Sequence, residues 1–175
     1  MSQSLSSFAD LLRAAERSVV HLEMRDAYGV EYEIQGFAAW REGHRRDPDD
    51  RESWWRPWLD LVRAVTDKGV AIRRARIVSE PVSDYIRFEH SCTFTNVAAG
   101  EEIRWLPRRH ASDLALPGND FWLFDDRLVQ FNVFDGVGRW VHTDQTEEPA
   151  VARACASAFE AVWQRAVPHD DYQPR

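Results

Sequence analysis

The sequence contains only one lysine, Lys68, among its 22 basic residues, and only two cysteines, Cys92 and Cys155. The cysteines form no CxxC pair and have no histidine at ligand spacing, so we expect reduced thiols, no metal site and a cytoplasmic location. No apolar run reaches the ~20 residues of a membrane span, and no signal-peptide pattern opens the sequence. We also expect no cofactor, because Gly136-x-Gly138 lacks the strand-to-helix context of a dinucleotide loop.

Chain length and net charge limit the classes of protein to which the sequence can belong. The 175 residues predict a single domain, 1–175, which is large enough to fold without a disulfide or a metal. The net charge of −7 disfavours nonspecific binding to nucleic acid or to acidic membranes. The segment 41–53 has nine charges in thirteen residues and is predicted to be a solvated connector. The tail, 168–175, is polar and is predicted to be loosely held.

Apolar periodicity predicts an α/β fold with a single mixed sheet of about five to seven strands flanked by helices. Helical spacing occurs at 55–68, and β-branched runs predict strands such as 70–78 and 102–106. The segment 81–99 fits a helix or a strand. A helix is favoured, because parallel strands need a crossover connection. Thr146 is predicted to cap the last helix.

Arginines are the first candidate binding residues. If the side chains of Arg74 and Arg76 share one face of their strand, Arg104 on the next strand can join them. Converging guanidiniums bind phosphate or carboxylate through paired hydrogen bonds. The predicted anion-binding set is Arg74, Arg76, Arg104, Arg108 and Arg109. The alternative is that these arginines form structural ion pairs with Glu80, Asp84, Glu89 or Asp113.

A polar loop follows the strand at 102–106. Asn119 and Asp120, just before a predicted hairpin, are expected at the rim of the ligand pocket. His110 or His90 with Asp120 is the alternative, catalytic set, although isolated polar residues are weak indicators of catalysis. No serine lies in a nucleophile-elbow motif.

His21 and Glu23 lie on the polar face of the first predicted strand. If that strand neighbours 70–78, both side chains can reach the arginines. A buried Glu–Arg pair that holds the sheet together is the favoured interpretation.

Trp54 and Trp55 begin a helix beside the charged connector. Exposed aromatic residues next to charge are typical of a partner-docking patch. The alternative is that both rings belong to the core.

Four segments resemble the phospholipase D superfamily over about residues 55–165: PWLDLVRAVTDKGVAIRRARIV, AAGEEIRWL, NDFWLFDDRLVQFN and the last predicted helix, which ends in AVWQRAVP. The resemblance implies a phospholipase D-like half-repeat. The catalytic motif of that family is His-x-Lys-x4-Asp. With Asp125 as its Asp, the His and Lys positions hold Gly118 and Asp120; with Asp126, they hold Asn119 and Phe121. The resemblance therefore implies a pseudoenzyme, and a half-repeat implies a homodimer.

A second resemblance covers nearly the whole chain, through HLEMRDAYGV, SWWRPWLDLV, RRARIVSEPVSDYIRFEH and RWLPRRHASDLALPGNDFWLFD. These segments resemble an uncharacterised family of small bacterial proteins, of unknown function, from high-GC Gram-positive bacteria. Genes of such families often neighbour helix-turn-helix regulators, which implies a regulatory role with a protein partner. The chain itself has no helix-turn-helix pattern, so direct DNA binding is not expected.

Together these observations predict a non-catalytic regulatory module that binds a small anionic ligand or a protein partner. The alternative function is a phosphodiesterase or nucleotide hydrolase with a rebuilt active site.

Overall fold

The computed structural model describes residues 7–29 and 31–175. Its helices are α1 (Phe8–Ala14), α2 (Glu31–Arg41), α3 (Arg51–Trp54), α4 (Pro57–Thr66), α5 (Asp84–Cys92), α6 (Phe94–Ala98) and α7 (Pro149–Arg165). Its strands are β1 (Ser18–Glu23), β2 (Ala71–Val78), β3 (Glu102–Pro107), β4 (Phe121–Phe124), β5 (Leu128–Phe134), β6 (Trp140–Thr146) and β7 (Val167–Pro168). A 3₁₀ helix, Arg108–Ala111, follows β3. No helix in these ranges is long and apolar enough to cross a membrane.

The seven strands form one mixed sheet in the order β6-β5-β4-β1-β2-β3-β7. Strands β1, β2 and β3 are parallel, and every other neighbouring pair is antiparallel. Helices α2, α3 and α4 form the crossover from β1 to β2, and α5 and α6 form that from β2 to β3. The predicted mixed α/β sheet flanked by helices is confirmed.

Helix α7 covers one face of the sheet. Its apolar stripe, which includes Phe159 and Val162, packs against Leu22, Ile77 and Leu106 from the three parallel strands. Burial of each of these side chains contributes about 2 kcal/mol. Alternation along the strands sends the next residues to the opposite face, which α1, α4 and α5 cover.

The helical prediction for 81–99 is correct, since α5 and α6 occupy most of this segment. Ser83 caps α5 by accepting a hydrogen bond from the Ile86 backbone N–H at 3.2 Å. Ile86 and Phe88 are buried on the inner side of the helix. The segment 41–53 is not a plain connector, because it includes the end of α2 and most of α3, although its side chains are mainly exposed.

Two predictions at the end of the chain are wrong. Thr146 is the last residue of β6, and Glu148 is the N-cap of α7; the Thr146 hydroxyl accepts a hydrogen bond from the Glu148 N–H. The tail is docked rather than loose. The His169 N–H donates to the Ile103 carbonyl at 3.0 Å, and the Tyr172 ring stacks on Trp105 with 5.5 Å between centroids.

Replacing Tyr172 with alanine should lower the free energy of unfolding by about 3 kcal/mol, because the substitution removes a large buried ring from the sheet. Urea denaturation followed by tryptophan fluorescence measures the change. Tyr172→Phe is the matched control. It keeps the stacked ring and removes only the hydroxyl that donates to Glu80, so its cost should be about 1 kcal/mol. Equal costs for the two variants would contradict a structural role for the stacking.

Candidate functional site

A buried network of charged side chains lies on the face of the sheet opposite α7. Its centre is Glu23, the last residue of β1. Arg74 on β2 donates from Nη1 to Glu23 Oε1 at 3.0 Å and from Nε to Glu101 Oε1 at 2.6 Å. His21 Nε2 lies 3.0 Å from Glu23 Oε1, and the His21 ring stacks on Trp122. The favoured interpretation of Glu23 as an arginine partner is therefore correct.

Arg76 completes the network two residues further along β2. Its Nε lies 2.8 Å from Glu23 Oε2, and its Nη1 donates to Glu89 Oε2 at 2.7 Å. Burial alone would raise the pKa of Glu23, but Arg76 and Arg74 outweigh burial and hold that pKa well below its usual range. The Glu23 carboxylate therefore remains charged in the folded protein.

These contacts change the interpretation of the predicted anion cluster. Arg74 and Arg76 share one face as predicted, but carboxylates already neutralise both. Arg104 is paired in register with Ala75, so its side chain lies on the opposite face, where Nη1 donates to the Trp163 carbonyl at 3.1 Å. The prediction that Arg104 joins Arg74 and Arg76 on one face is wrong.

Asp120 lies beside the carboxyl end of β1. Its Oδ1 accepts a hydrogen bond from the Met24 N–H at 2.9 Å, and its Oδ2 accepts one from the Tyr28 hydroxyl. Burial raises the pKa of Asp120. Asn119 next to it is exposed. Asp120 is therefore buried beneath the loop that follows β1 and does not lie at the rim of an open pocket.

The two histidines of the alternative catalytic set lie in different surroundings. His90, on α5, contacts the Tyr172 carbonyl through Nε2 at 3.2 Å, and burial lowers its pKa. His110, in the 3₁₀ helix, has its Nε2 3.1 Å from Arg109 Nε. Within 7–29 and 31–175, no hydrogen bond, ion pair or ring contact joins His90, His110 and Asp120 to one another.

Arg108, which follows β3, forms hydrogen bonds with residues at the carboxyl ends of β1 and β2. Its Nη2 donates to the Met24 carbonyl at 2.6 Å and to the Ile77 carbonyl at 3.2 Å, and it lies 3.3 Å from Asp26 Oδ2. Asp26 also accepts from the Ser79 N–H and hydroxyl. Arg108 therefore lies where ligands commonly bind in α/β sheets, at the ends of the parallel strands.

A cleft of about 540 Å³ opens over Arg108. Its lining comes from the loop after β1, from Arg108 and from the hairpin between β5 and β6: Met24, Arg25, Asp26, Ala27, Tyr28, Gly29, Arg108, Gly136, Val137 and Gly138. Two arginines, Arg25 and Arg108, are among the lining residues.

Arg25 differs from the other arginines near the carboxyl edge. Its guanidinium lies over the Phe134 ring at 5.0 Å, and its buried Nε has no hydrogen-bond partner. No ion pair joins it to a carboxylate in the part of the chain that the structure describes. A Cβ on Gly138 would lie 3.5 Å from Arg25 Nη2, at ordinary van der Waals distance, so the guanidinium lies next to this glycine. The anion-binding set predicted from the sequence does not include Arg25, because a lone arginine carries no motif.

A larger cleft, of about 700 Å³, lies beside the 3₁₀ helix and the tail. It contains Arg109, which pairs with Glu80 at 3.1 Å, and Arg165, whose two Nη atoms bind Asp113 at 2.6 and 3.0 Å. Arg109 and Arg108 therefore line different clefts, although the two are adjacent in sequence. The Arg109–Glu80 pair, like the Arg76–Glu89 pair, matches the alternative of structural ion pairs that the sequence left open.

The predicted docking pair of tryptophans is only partly exposed. Trp54 is 7% exposed and packs in the core, with its Nε1 donating to the Asp47 carbonyl at 3.0 Å. The expectation that Trp54 is exposed is wrong. Trp55 is partly exposed, with the Arg51 guanidinium 3.8 Å from its ring centre.

Removing the central carboxylate should strongly destabilise the fold. We expect Glu23→Gln to lower the free energy of unfolding by about 3 kcal/mol near neutral pH, because it removes the carboxylate between Arg74 and Arg76, so that each buried guanidinium loses an ion pair and the two repel each other without it. The low folded pKa of Glu23 means that this stabilisation is fully present above its unfolded pKa of about 4.3 and is lost as pH falls below it. Denaturant titrations from pH 7 to pH 3 should therefore show the two proteins converging in acid. A constant difference would contradict the assignment.

Glu33 on α2 should respond to pH in the opposite direction. Burial, then the charge of Glu89, raises the pKa of Glu33 to about 7. A raised carboxyl pKa penalises the folded state above that pKa, and the penalty disappears as pH falls to the unfolded value. We expect Glu33→Gln to be more stable than the wild type by about 1 kcal/mol at pH 8 and equal to it near pH 4, in thermal or denaturant unfolding. A variant less stable at pH 8 would contradict this.

The fold is similar to those of two solved bacterial structures. "Nuc", a phospholipase D family member from Salmonella typhimurium, matches 91% of this chain and 86% of its own with 10% identity and a TM-score of 0.52. NucT from Helicobacter pylori matches 91% and 87% with 9% identity and a TM-score of 0.53. These similarities confirm a phospholipase D-like fold. Among curated proteins, none matches the chain significantly. A family model described as "Domain of unknown function (DUF6879)" matches residues 6–174, and the chain belongs to this family.

Proposed function

We propose that the chain is a non-catalytic binding module that takes a small anionic ligand in the cleft over Arg108. The observation that carries the proposal is Arg25, which lines the cleft and forms no ion pair with any carboxylate of the described residues. Arg108 adds a second positive charge from the floor, although Asp26 offsets part of it. An anion in the cleft would supply charged acceptors for the Arg25 guanidinium.

The residues at the motif positions support a binding role over a catalytic one. The phospholipase D mechanism needs an imidazole nucleophile and a cation that binds the phosphate. With Asp125 as the motif Asp, Gly118 and Asp120 occupy the His and Lys positions, and Asp120 is already bound by Tyr28 and Met24. With Asp126, Asn119 and Phe121 occupy them. A carboxylate or a phenyl ring at the cation position would not stabilise a phosphate.

The rival function is hydrolysis of a phosphodiester or nucleotide by a rebuilt site of His110, His90 and Asp120. The separate contacts of these three side chains argue against it. His90 is engaged with the tail, His110 lies beside Arg109, and Asp120 lies under the loop after β1.

The regulatory setting stays a prediction. The module would act in the bacterial cytoplasm with a protein partner such as a helix-turn-helix regulator, and Trp55 remains a candidate docking residue. The net charge of −7 favours a small anion over nucleic acid, because an acidic chain repels a long polyanion.

Titration calorimetry with inorganic phosphate, pyrophosphate and a nucleoside triphosphate tests the proposal. We expect saturable binding to the wild type and at least about tenfold weaker binding to Arg25→Gln, which loses charge-assisted hydrogen bonds but keeps the stem over Phe134. Arg127→Gln is the matched control. It makes the same change on the β4–β5 turn, where Arg127 pairs with Glu147, and should bind like the wild type.

The results that would reject the anion site differ from the result that would support the hydrolase. Absence of binding by all three anions, or equal weakening by Arg25→Gln and Arg127→Gln, would reject the cleft as an anion site. Turnover of a chromogenic phosphodiester that is lost in both His110→Ala and His90→Ala would instead support the hydrolase.

A further inference from the structure

The loop after β1 carries Arg25 and is bound to the rest of the fold on both sides of that residue. The Met24 N–H donates to Asp120 Oδ1 at 2.9 Å. At the other end of the loop, the Gly29 N–H donates to the Gly138 carbonyl at 2.9 Å. Arg25 lines the ligand cleft, so the contacts that fix its backbone also limit where its guanidinium can lie.

The Tyr28 hydroxyl connects the backbone of Arg25 to Asp120. It donates to Asp120 Oδ2 and accepts a hydrogen bond from the Arg25 N–H at 3.3 Å. Burial, and then the charge of Glu23, raises the pKa of Tyr28 well above its usual range. The hydroxyl therefore keeps its proton and acts as donor and acceptor at the same time.

The anchor of this connection belongs to the sheet. Asp120 is buried, and its carbonyl accepts a hydrogen bond from the Asn132 N–H of β5 at 2.8 Å. Phe134, at the end of the same strand, contacts both side chains of the loop. Its ring lies 5.4 Å from the Tyr28 ring in an edge-to-face arrangement and 5.0 Å from the Arg25 guanidinium. Arg25 is thus held through its backbone by the Tyr28 hydroxyl and through its side chain by Phe134.

We propose that Tyr28 is a positioning residue for the anion cleft, because its hydroxyl transmits the fixed position of Asp120 to Arg25 and so orients the guanidinium before a ligand binds. The inference rests on the proposed function, since it concerns the same cleft. Tyr28 also lines that cleft, but its single hydroxyl proton is already donated to Asp120, so it acts through Arg25 and not on the anion. A side chain that is already held in its binding position loses less conformational freedom when the ligand arrives, which raises the affinity.

Removal of the hydroxyl tests the proposal. Tyr28→Phe keeps the ring against Phe134 and loses only the two hydrogen bonds. The probe is whichever of inorganic phosphate, pyrophosphate and a nucleoside triphosphate binds the wild type most tightly. In titration calorimetry, we expect Tyr28→Phe to bind it about threefold to tenfold more weakly than the wild type does. Tyr85→Phe is the matched control. It removes the same atom from a ring whose centroid lies 6.3 Å away and whose hydroxyl donates to Glu33, so binding should not change.

A double-mutant cycle distinguishes positioning from a general loss of structure. If Tyr28 acts through Arg25, its hydroxyl has nothing to position once the guanidinium is removed. Tyr28→Phe should therefore weaken anion binding in the wild-type background and have no further effect in the Arg25→Gln background. Equal weakening in both backgrounds, or no weakening in either, would overturn the proposal.

Amide hydrogen exchange in the ligand-free protein separates the failure of this inference from the failure of the proposed function. The Arg25 N–H should exchange about threefold to tenfold faster in Tyr28→Phe, because its acceptor is gone, whereas the Met24 N–H should stay protected by Asp120. Unchanged exchange at Arg25 would overturn the positioning role. Faster exchange at Arg25 in a protein that binds none of the three anions would reject the anion site and confirm that the hydroxyl fixes the loop.

Discussion

The pairing of Glu23 with two arginines on the neighbouring strand is the constraint on which the rest of the structure depends. A central parallel strand covered on both faces is normally apolar. Here the side chains of Arg74 and Arg76 project from β2 towards the face covered by α5. Both can be buried there because the Glu23 carboxylate lies between them. Glu89 and Glu101 occupy the outer positions. Three carboxylates thus face two guanidiniums, and the surplus negative charge adds to burial in raising the pKa of Glu33.

This network also determines where an anion could bind. A guanidinium that is already paired with carboxylates is a poor ligand contact. Breaking the pair would leave a buried carboxylate without a partner, which costs free energy. Arg74 and Arg76 are therefore structural, and the available positive charge lies at the end of the sheet, in the loop after β1 and on Arg108. Asp125, at one candidate motif position, is also structural. Its carboxylate accepts backbone N–H groups from Glu16, Arg17 and Ser18 and fixes the start of β1.

Sequence periodicity predicted the order of elements well, because alternation within one strand depends only on local geometry. It could not predict how strands align with each other. The wrong expectation for Arg104 follows from a register that pairs it with Ala75, and a shift of one residue would have placed it beside Arg74 and Arg76. Glu23 was found because its strand alternates clearly. Arg25 was missed because it follows the strand, where no period applies. The tail was misjudged because its one large apolar residue, Tyr172, is surrounded by polar ones.

The hairpin between β5 and β6 and the loop after β1 form the cleft together. Gly136 and Gly138 line the cleft, and β6 begins two residues after Gly138. The Gly29 N–H donates to the Gly138 carbonyl at 2.9 Å, so the loop that carries Arg25 is fastened to the same hairpin. A ligand held by Arg25 would therefore restrict the motion of this hairpin as well as that of the loop, because the Gly29–Gly138 hydrogen bond joins the two.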